Sequence, residues 1–292
     1  MTSAGVFASG LSIDFGSNRP LLAMAIGYTS LAWFYHRVRP DERLYRVLTT
    51  VAQLVLILVL GLVLSYAAAV MAMSYRDAEL LAIDRWLGFD RASYVHVFTD
   101  QPWKIHLSNF IYLSMLPQLA FVPLVLVVAN RIERLQQFVM AYGLALAATI
   151  AIFVFVPAVG AFVYCDLTPA QYATLPADIY TPARTLDALR SGMMKTISLS
   201  NLEGLIAFPS FHTAAAILDA WALWPVKPMR WLIVPLNVAM VATTPIVGAH
   251  YAIDVVAGAV VTLASIAATR RLCSSEIGLG PAASPHGFCP TA

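Results

Sequence analysis

From Val47 to Ser74 the chain runs without one charged residue. About 20 apolar residues in a row are enough for a helix to cross the hydrocarbon core of a bilayer. A stretch apolar on every side is read as deeply buried or lipid-facing. Charge is scarce throughout: 12% of the 292 residues are charged and 60% are hydrophobic, with mean hydropathy +0.74. Soluble domains carry about 25% charged residues. In lipid every backbone polar group must be paired within the protein, and uninterrupted apolar segments of this length do so as helices. An all-α integral membrane protein is therefore expected.

The charge-free gaps give about seven transmembrane helices. They lie between Arg19 and Arg37, and at about Val47–Ser74, Phe110–Ala129, Leu135–Pro157, Pro209–Pro225, Trp231–Val247 and His250–Thr269. With this count the basic segments Arg37–Arg46, Arg131–Arg134, Lys227–Arg230 and Arg270-Arg271 all fall on one side. Lysine and arginine in short loops mark the cytoplasmic side. The opposite side carries two long segments, 75–109 and 158–208. Asp84 to Asp90 mixes charge with aromatics and is expected at the membrane interface. Thr185 to Met194 places Leu186, Leu189 and Met193 at helical spacing, which predicts a short amphipathic helix on the membrane surface. The chain divides into 1–46, an extra helix with a cytoplasmic loop; 47–272, a six-helix core; and 273–292, a Ser/Gly/Pro-rich tail expected to be disordered. No basic n-region precedes the apolar residues of the N-terminus, so no cleaved signal peptide is expected.

Two short patterns carry chemistry. His250 and Asp254 are four apart at the start of the last span and share a helix face. A carboxylate on one ring nitrogen fixes the tautomer and leaves the other nitrogen as nucleophile or base. A self-satisfied polar pair at the membrane edge has equal weight for that pair alone. Pro209-Ser210-Phe211-His212 sets Pro and Ser at a helix start, where free amides suit a phosphate. His212, one turn in, can protonate a leaving oxygen; the plain alternative is a capped helix with an interfacial histidine. Both patterns fall near the non-cytoplasmic ends of their spans.

Taken together, Pro-Ser-x-His followed by His-x-x-x-Asp resembles the type 2 phosphatidic acid phosphatase superfamily of membrane lipid phosphatases. The similarity covers the last six spans. It implies a metal-independent phosphohistidine mechanism with no cofactor: His250 as nucleophile, Asp254 orienting it, His212 as general acid and then base, and Ser210 with nearby amides on the phosphate oxygens. The family's Lys-x6-Arg-Pro motif is missing here. Thr243-Thr244 stands where Ser-Arg is usual, and Phe211 where Gly is usual. Thr244 and Phe211 thus occupy phosphate-site positions without a basic clamp. Arg190, on the expected amphipathic helix, is the favoured replacement cation, with Arg184 and Lys195 as weaker candidates.

The bulky Phe211 and the absent arginine are similar to the branch containing inositol phosphorylceramide synthases. That likeness implies transfer of a phospho-headgroup between lipids, inositolphosphotransferase-like. The alternative is a lipid phosphate or polyprenyl pyrophosphate phosphatase that uses water. A transporter is more remote, because the polar groups cluster at one membrane face and no repeat is visible; a non-catalytic membrane protein that keeps the helical core is a further remote alternative, raised by the missing arginine clamp. The expected partners are a phospholipid or isoprenoid phosphate and the bilayer itself. Scattered basic residues argue against nucleic acid. Cys165, Cys273 and Cys289 have neither metal-ligand spacing nor the look of a disulfide framework. Asp219 is expected to pair with a polar group of a neighbouring span or with a basic residue near the cytoplasmic end, and Gly258 to admit a close helix. Tyr112, Gln118 and Tyr142 are read as pocket-lining or packing residues, and His96 and His106 as loop or interface histidines.

Overall fold

The computed structural model describes residues 10–14, 19–164, 175, 177–198 and 203–277, with the side chains of 19–25, 177–178 and 274–277 left aside. Cys165, Cys289 and the expected tail beyond 277 lie outside the described residues. The fold is all-α. Its helices are α1 (Arg19–Arg37), α2 (Glu42–Met71), α3 (Asp77–Trp86), α4 (Arg91–Thr99), α5 (Pro102–Leu113) and α6 (Met115–Val128). They continue as α7 (Ile132–Phe155), the single turn α8 (Ala161–Tyr164), α9 (Thr181–Arg190), α10 (Phe211–Leu223), α11 (Lys227–Val247) and α12 (Ala252–Ile277). Strands β1 (Ser12–Asp14) and β2 (Thr196–Ser198) pair in parallel, with Ile13 opposite Ile197.

Among the described residues, α2, α7, α11 and the Ala252–Cys273 part of α12 are long and apolar enough to cross a membrane. They match the second, fourth, sixth and seventh expected spans. The third is a broken one: α5 and α6 meet at a 45° bend and together make a fifth candidate. Pro117 explains the break. It has no N–H to give the carbonyl of Leu113, and its ring crowds that carbonyl, so the helix cannot run straight through. The fifth expected span is α10, which has only 13 residues. At about 1.5 Å per residue it falls short of a full crossing. α1 forms where the first span is expected but is not among the four.

α6, α7, α10, α11 and α12 enclose the main core, which includes Val122, Phe138, Tyr142, Leu218 and Met240. Gln118 and Asn237 join α6 to α11 inside it through a 2.9 Å hydrogen bond, so Gln118 serves packing. Tyr142 is buried against the edge of Phe211. A second cluster seats α9 on the ends of α2 and α7: Leu186 and Leu189 pack with Tyr66, Ala69 and Phe153. The amphipathic helix therefore exists; it starts at Thr181 and packs its apolar face on protein. Pro182 favours the earlier start. Gly192, at φ +74°, follows its end and leaves Met193 outside the helix and exposed.

In the segment expected at the membrane interface Trp86 is exposed, while Asp84 is buried. Two other expectations change. Asp219 is buried as well, and its Oδ1 has no hydrogen-bond partner among the described residues. Cys273 is disulfide-bonded, where the spacing suggested no bridge.

Gly258 has the expected role. A Cβ there would lie 2.4 Å from the carbonyl oxygen of Ser210, so α12 can meet the start of α10 only without a side chain at this point. Gly258→Ala is expected to destabilise the protein by about 1–3 kcal/mol, the usual cost of overpacking. Thermal unfolding in detergent micelles measures it; an unchanged midpoint would contradict the close approach.

Candidate active site

The connection between α11 and α12 is four residues, 248–251, and it carries His250. Its shape is unusual for L-residues: Ala249 has φ +53°. Such a backbone costs about 1–3 kcal/mol and persists only when its surroundings impose it. Here the Ala249 carbonyl accepts a 2.7 Å bond from the Ala161 amide. Gly160, at φ +110°, lets the backbone pass close to that carbonyl.

Three carboxylates fix the turn. Asp77, at the start of α3, accepts from the amides of Val159 and Gly160 and from the hydroxyl of Tyr251 at 3.0 Å. Burial pushes the Asp77 carboxyl up, and these three donors counter the shift. Asp84, at the end of α3, accepts from the amides of Ala252 and Ile253, each at 2.9 Å. Those amides are the unpaired donors that open α12. Arg91 Nη2 closes on the same carboxylate at 3.1 Å. Asp254 Oδ2 accepts from the Tyr251 amide at 2.8 Å and from His250 Nδ1–H at 3.2 Å. The helical spacing of His250 and Asp254 thus gives the expected contact.

With Nδ1 engaged, His250 Nε2 faces Ser210 Oγ at 3.5 Å. Ser210 caps α10 through a 3.3 Å bond from the Thr213 amide, and its own amide donates to the Asp254 carbonyl at 3.0 Å. The two halves of the site are thereby tied backbone to backbone. His212 sits in the first turn of α10. Its ring stacks on Tyr112 at 3.8 Å, and its Nδ1 is 2.8 Å from the Tyr112 hydroxyl. Gly248 spaces the groups: a Cβ there would stand 2.6 Å from His250 Cδ2 and 2.7 Å from the Tyr112 hydroxyl.

Phe211, His212, His250 and Tyr112 line a cavity of about 480 Å³. Much of its remaining wall is aliphatic, including Leu58, Leu62, Leu113, Leu116 and Leu146. The structure thus brings together His212, His250, Asp254, Ser210 and Phe211. It does not bring Thr244, whose hydroxyl donates to the Met240 carbonyl of its own helix at 2.8 Å. Arg190 is also elsewhere. It donates to the carbonyls of Ala72 and Met73 at 3.4 and 2.8 Å and stacks on Tyr75. These carbonyls lie just past the end of α2, where a cation is favoured by the helix dipole. Arg184 and Lys195 are exposed and do not line the cavity. Of the 18 lysines and arginines only Arg19 lacks a described side chain, and none of the others lines the cavity. His96 and His106 are exposed on α4 and α5.

Sequence reasoning missed Asp77, Asp84, Ala249 and Gly248. Asp84 acts on residues 168 positions away, which no local pattern shows. A histidine beside a buried carboxylate and a hydroxyl, all on a fixed backbone, can act as a nucleophile, and the second histidine can carry a proton.

A family model described as the PAP2 superfamily matches residues 78–268, from α3 through most of α12. No curated protein and no solved structure matches the chain.

Asp84→Ala leaves Arg91 buried without its countercharge and strips the α12 amides of their acceptor. The expected loss is about 3–5 kcal/mol, read as a lowered unfolding midpoint in micelles. Tyr112→Phe keeps the stack but removes the hydroxyl from His212. It is expected to lower turnover about tenfold, as for loss of one hydrogen bond worth about 1.4 kcal/mol, with an unchanged unfolding midpoint. Equal activity of Tyr112→Phe and wild type would show that the bond does not position His212.

Proposed function

The chain belongs to the PAP2 superfamily, whose members are phosphatases and phosphotransferases acting on lipid-like substrates, and we propose that it moves a phospho-headgroup between lipids through a phosphohistidine on His250. The observation that carries this reading is the convergence of His212 and His250 on one cavity, with Asp254 and Ser210 buried against the His250 ring.

In the first step His250 Nε2 attacks phosphorus, and the bond from phosphorus to the leaving oxygen breaks. Asp254 holds Nδ1–H and stabilises the cation formed on the ring. His212, whose Nδ1 is engaged by Tyr112, gives its Nε2 proton to the leaving oxygen. In the second step the acceptor oxygen attacks phosphorus, His212 takes the acceptor's proton, and the bond to Nε2 breaks. Ser210 Oγ and the first free amides of α10 face the phosphate oxygens; the amides that open α12 are occupied by Asp84 and unavailable.

Charge favours transfer from a phosphodiester. A phosphate monoester or a pyrophosphate brings two or more negative charges, which a site of low polarity accepts only with cations. No lysine or arginine lines this cavity among the described side chains, and a phosphodiester brings one charge. The apolar wall suits a lipid chain. Leu113 and Leu116 line the cavity and are also 51% and 53% exposed, so the cavity reaches the outer surface at the break between α5 and α6. On the seven-span reading the site lies on the non-cytoplasmic face. Phosphatase action through water remains the second reading, since the same phosphoenzyme serves both.

The test uses purified protein, a labelled phosphodiester lipid and a labelled phosphatidic acid. His250→Ala is expected to abolish turnover of either and to form no phosphoenzyme. His212→Ala is expected to retain phosphoenzyme formation from a donor with a good leaving group. The phosphodiester is expected to react faster than the monoester. Full activity of His250→Ala would overturn the mechanism, and a preference for the monoester would favour the phosphatase.

A further inference from the structure

At the end of the bundle remote from the histidines, two helices bring basic residues to one tryptophan of a third. Trp221 lies near the C-terminus of α10. The guanidinium of Arg134, in the first turn of α7, stands 4.3 Å from the centre of its indole, and that of Arg270, late in α12, stands 5.8 Å away. An indole face attracts a cation, but it carries no net charge, so two guanidiniums on one ring still repel each other. The charges acting on Arg134 are Arg270 and Arg131, both positive, and Glu133 beside it in sequence. Glu133 is exposed and accepts from Gln137 at 3.0 Å. Neither Arg134 nor Arg270 forms an ion pair among the described residues.

Donors are also left over at this place. Arg134 Nη1 is buried with no hydrogen-bond partner among the described residues, and so is Trp221 Nε1. Both groups can only donate. Buried donors without acceptors are costly, and in folded proteins they are met by water or by a bound group. Water would satisfy the N–H groups and leave the two positive charges unanswered. A phosphate answers both: it brings several acceptor oxygens and negative charge, and its geometry matches the guanidinium fork.

The surface of α12 shows where the rest of such a ligand lies. Val256, Val260, Leu263, Ala267 and Arg270 are all exposed and recur at helical spacing, so they share one face. The valines and the leucine are 51% to 62% exposed. This part of α12 is long and apolar enough to cross a membrane, so acyl chains are what covers the strip. The strip ends at Arg270. A chain lying along it brings its headgroup to the arginines.

We propose that Arg134, Arg270 and the Trp221 N–H form a binding site for the phosphate of an anionic phospholipid whose acyl chain lies along this strip of α12. On the seven-span reading the lipid belongs to the cytoplasmic leaflet, where basic pockets between helices hold such headgroups. The site is at the opposite end of α10 and α12 from His212 and His250, so it stands apart from the transfer reading.

The full chain in a neutral detergent is titrated with phosphatidylglycerol, phosphatidylcholine or inorganic phosphate, and the thermal unfolding midpoint is read. A ligand that binds the folded protein raises it. Phosphatidylglycerol is expected to raise the midpoint, and the other two to leave it unchanged at the same concentration. Arg134→Gln and Arg270→Gln are each expected to need about tenfold more phosphatidylglycerol for the same shift, the factor for one lost charge-assisted hydrogen bond. Arg270 is exposed, so its variant tests the site even where Arg134→Gln does not fold. Trp221→Phe keeps a ring and removes the N–H, and is expected to need severalfold more. His250→Ala is expected to respond as wild type does; loss of the shift there would place the lipid in the cavity of the histidines and overturn the proposal. Wild-type response in Arg270→Gln, or an equal shift with phosphatidylcholine, would also overturn it. An equal shift with inorganic phosphate would overturn the lipid assignment and make this a site for a free anion.

Discussion

The arrangement depends on one carboxylate placed against one helix end. The amides that open α12 would otherwise be the strongest anion site in the neighbourhood, since free donors and the helix dipole act there together. Asp84 takes them, at 2.9 Å each. This pins the last helix to α3 and through Arg91 to α4. It also keeps a substrate anion from settling two residues past His250. The remaining free helix start in the site is α10, where Ser210 and His212 stand. Asp77 completes the hold by gripping Tyr251 and the 159–160 backbone, so His250 is fixed from both flanks while its Nε2 points to Ser210.

What could be read from the sequence was local. His250 with Asp254, and Ser210 with His212, are helical neighbours whose contacts follow from spacing alone, and the apolar runs gave the long helices. The rest depended on pairings across the chain. Asp77 and Asp84 sat in an acidic outer segment that offered no reason to separate them from its other carboxylates. A basic residue on the amphipathic helix suits a clamp because that helix is expected near the site. The helix is near, yet Arg190 donates to the Ala72 and Met73 carbonyls just past the end of α2. The break at Pro117 was visible as a residue but not as a bend, because prolines inside α11, Pro235 and Pro245, do not divide that helix.

Small residues set the distances in the site. Gly248 keeps His250 and Tyr112 apart, and Gly258 lets the α12 backbone lie against the Ser210 carbonyl. Neither makes a bond, and both determine where bonds form. In a close-packed interior one methyl group is felt as a displacement, so the geometry of the two histidines is defined as much by the atoms left out as by the hydrogen bonds made.

The cavity's lack of a described lysine or arginine bears on how a substrate arrives. Positive clefts draw anions from solution over a Debye length, about 8 Å at physiological salt, and lose that pull as salt rises. No described lysine or arginine lines the cavity here, and two of its lining residues, Leu113 and Leu116, are half-exposed at the break between α5 and α6. For a lipid substrate, encounter becomes a two-dimensional search within a leaflet. Its rate follows the abundance and lateral mobility of the lipid and stays nearly indifferent to ionic strength.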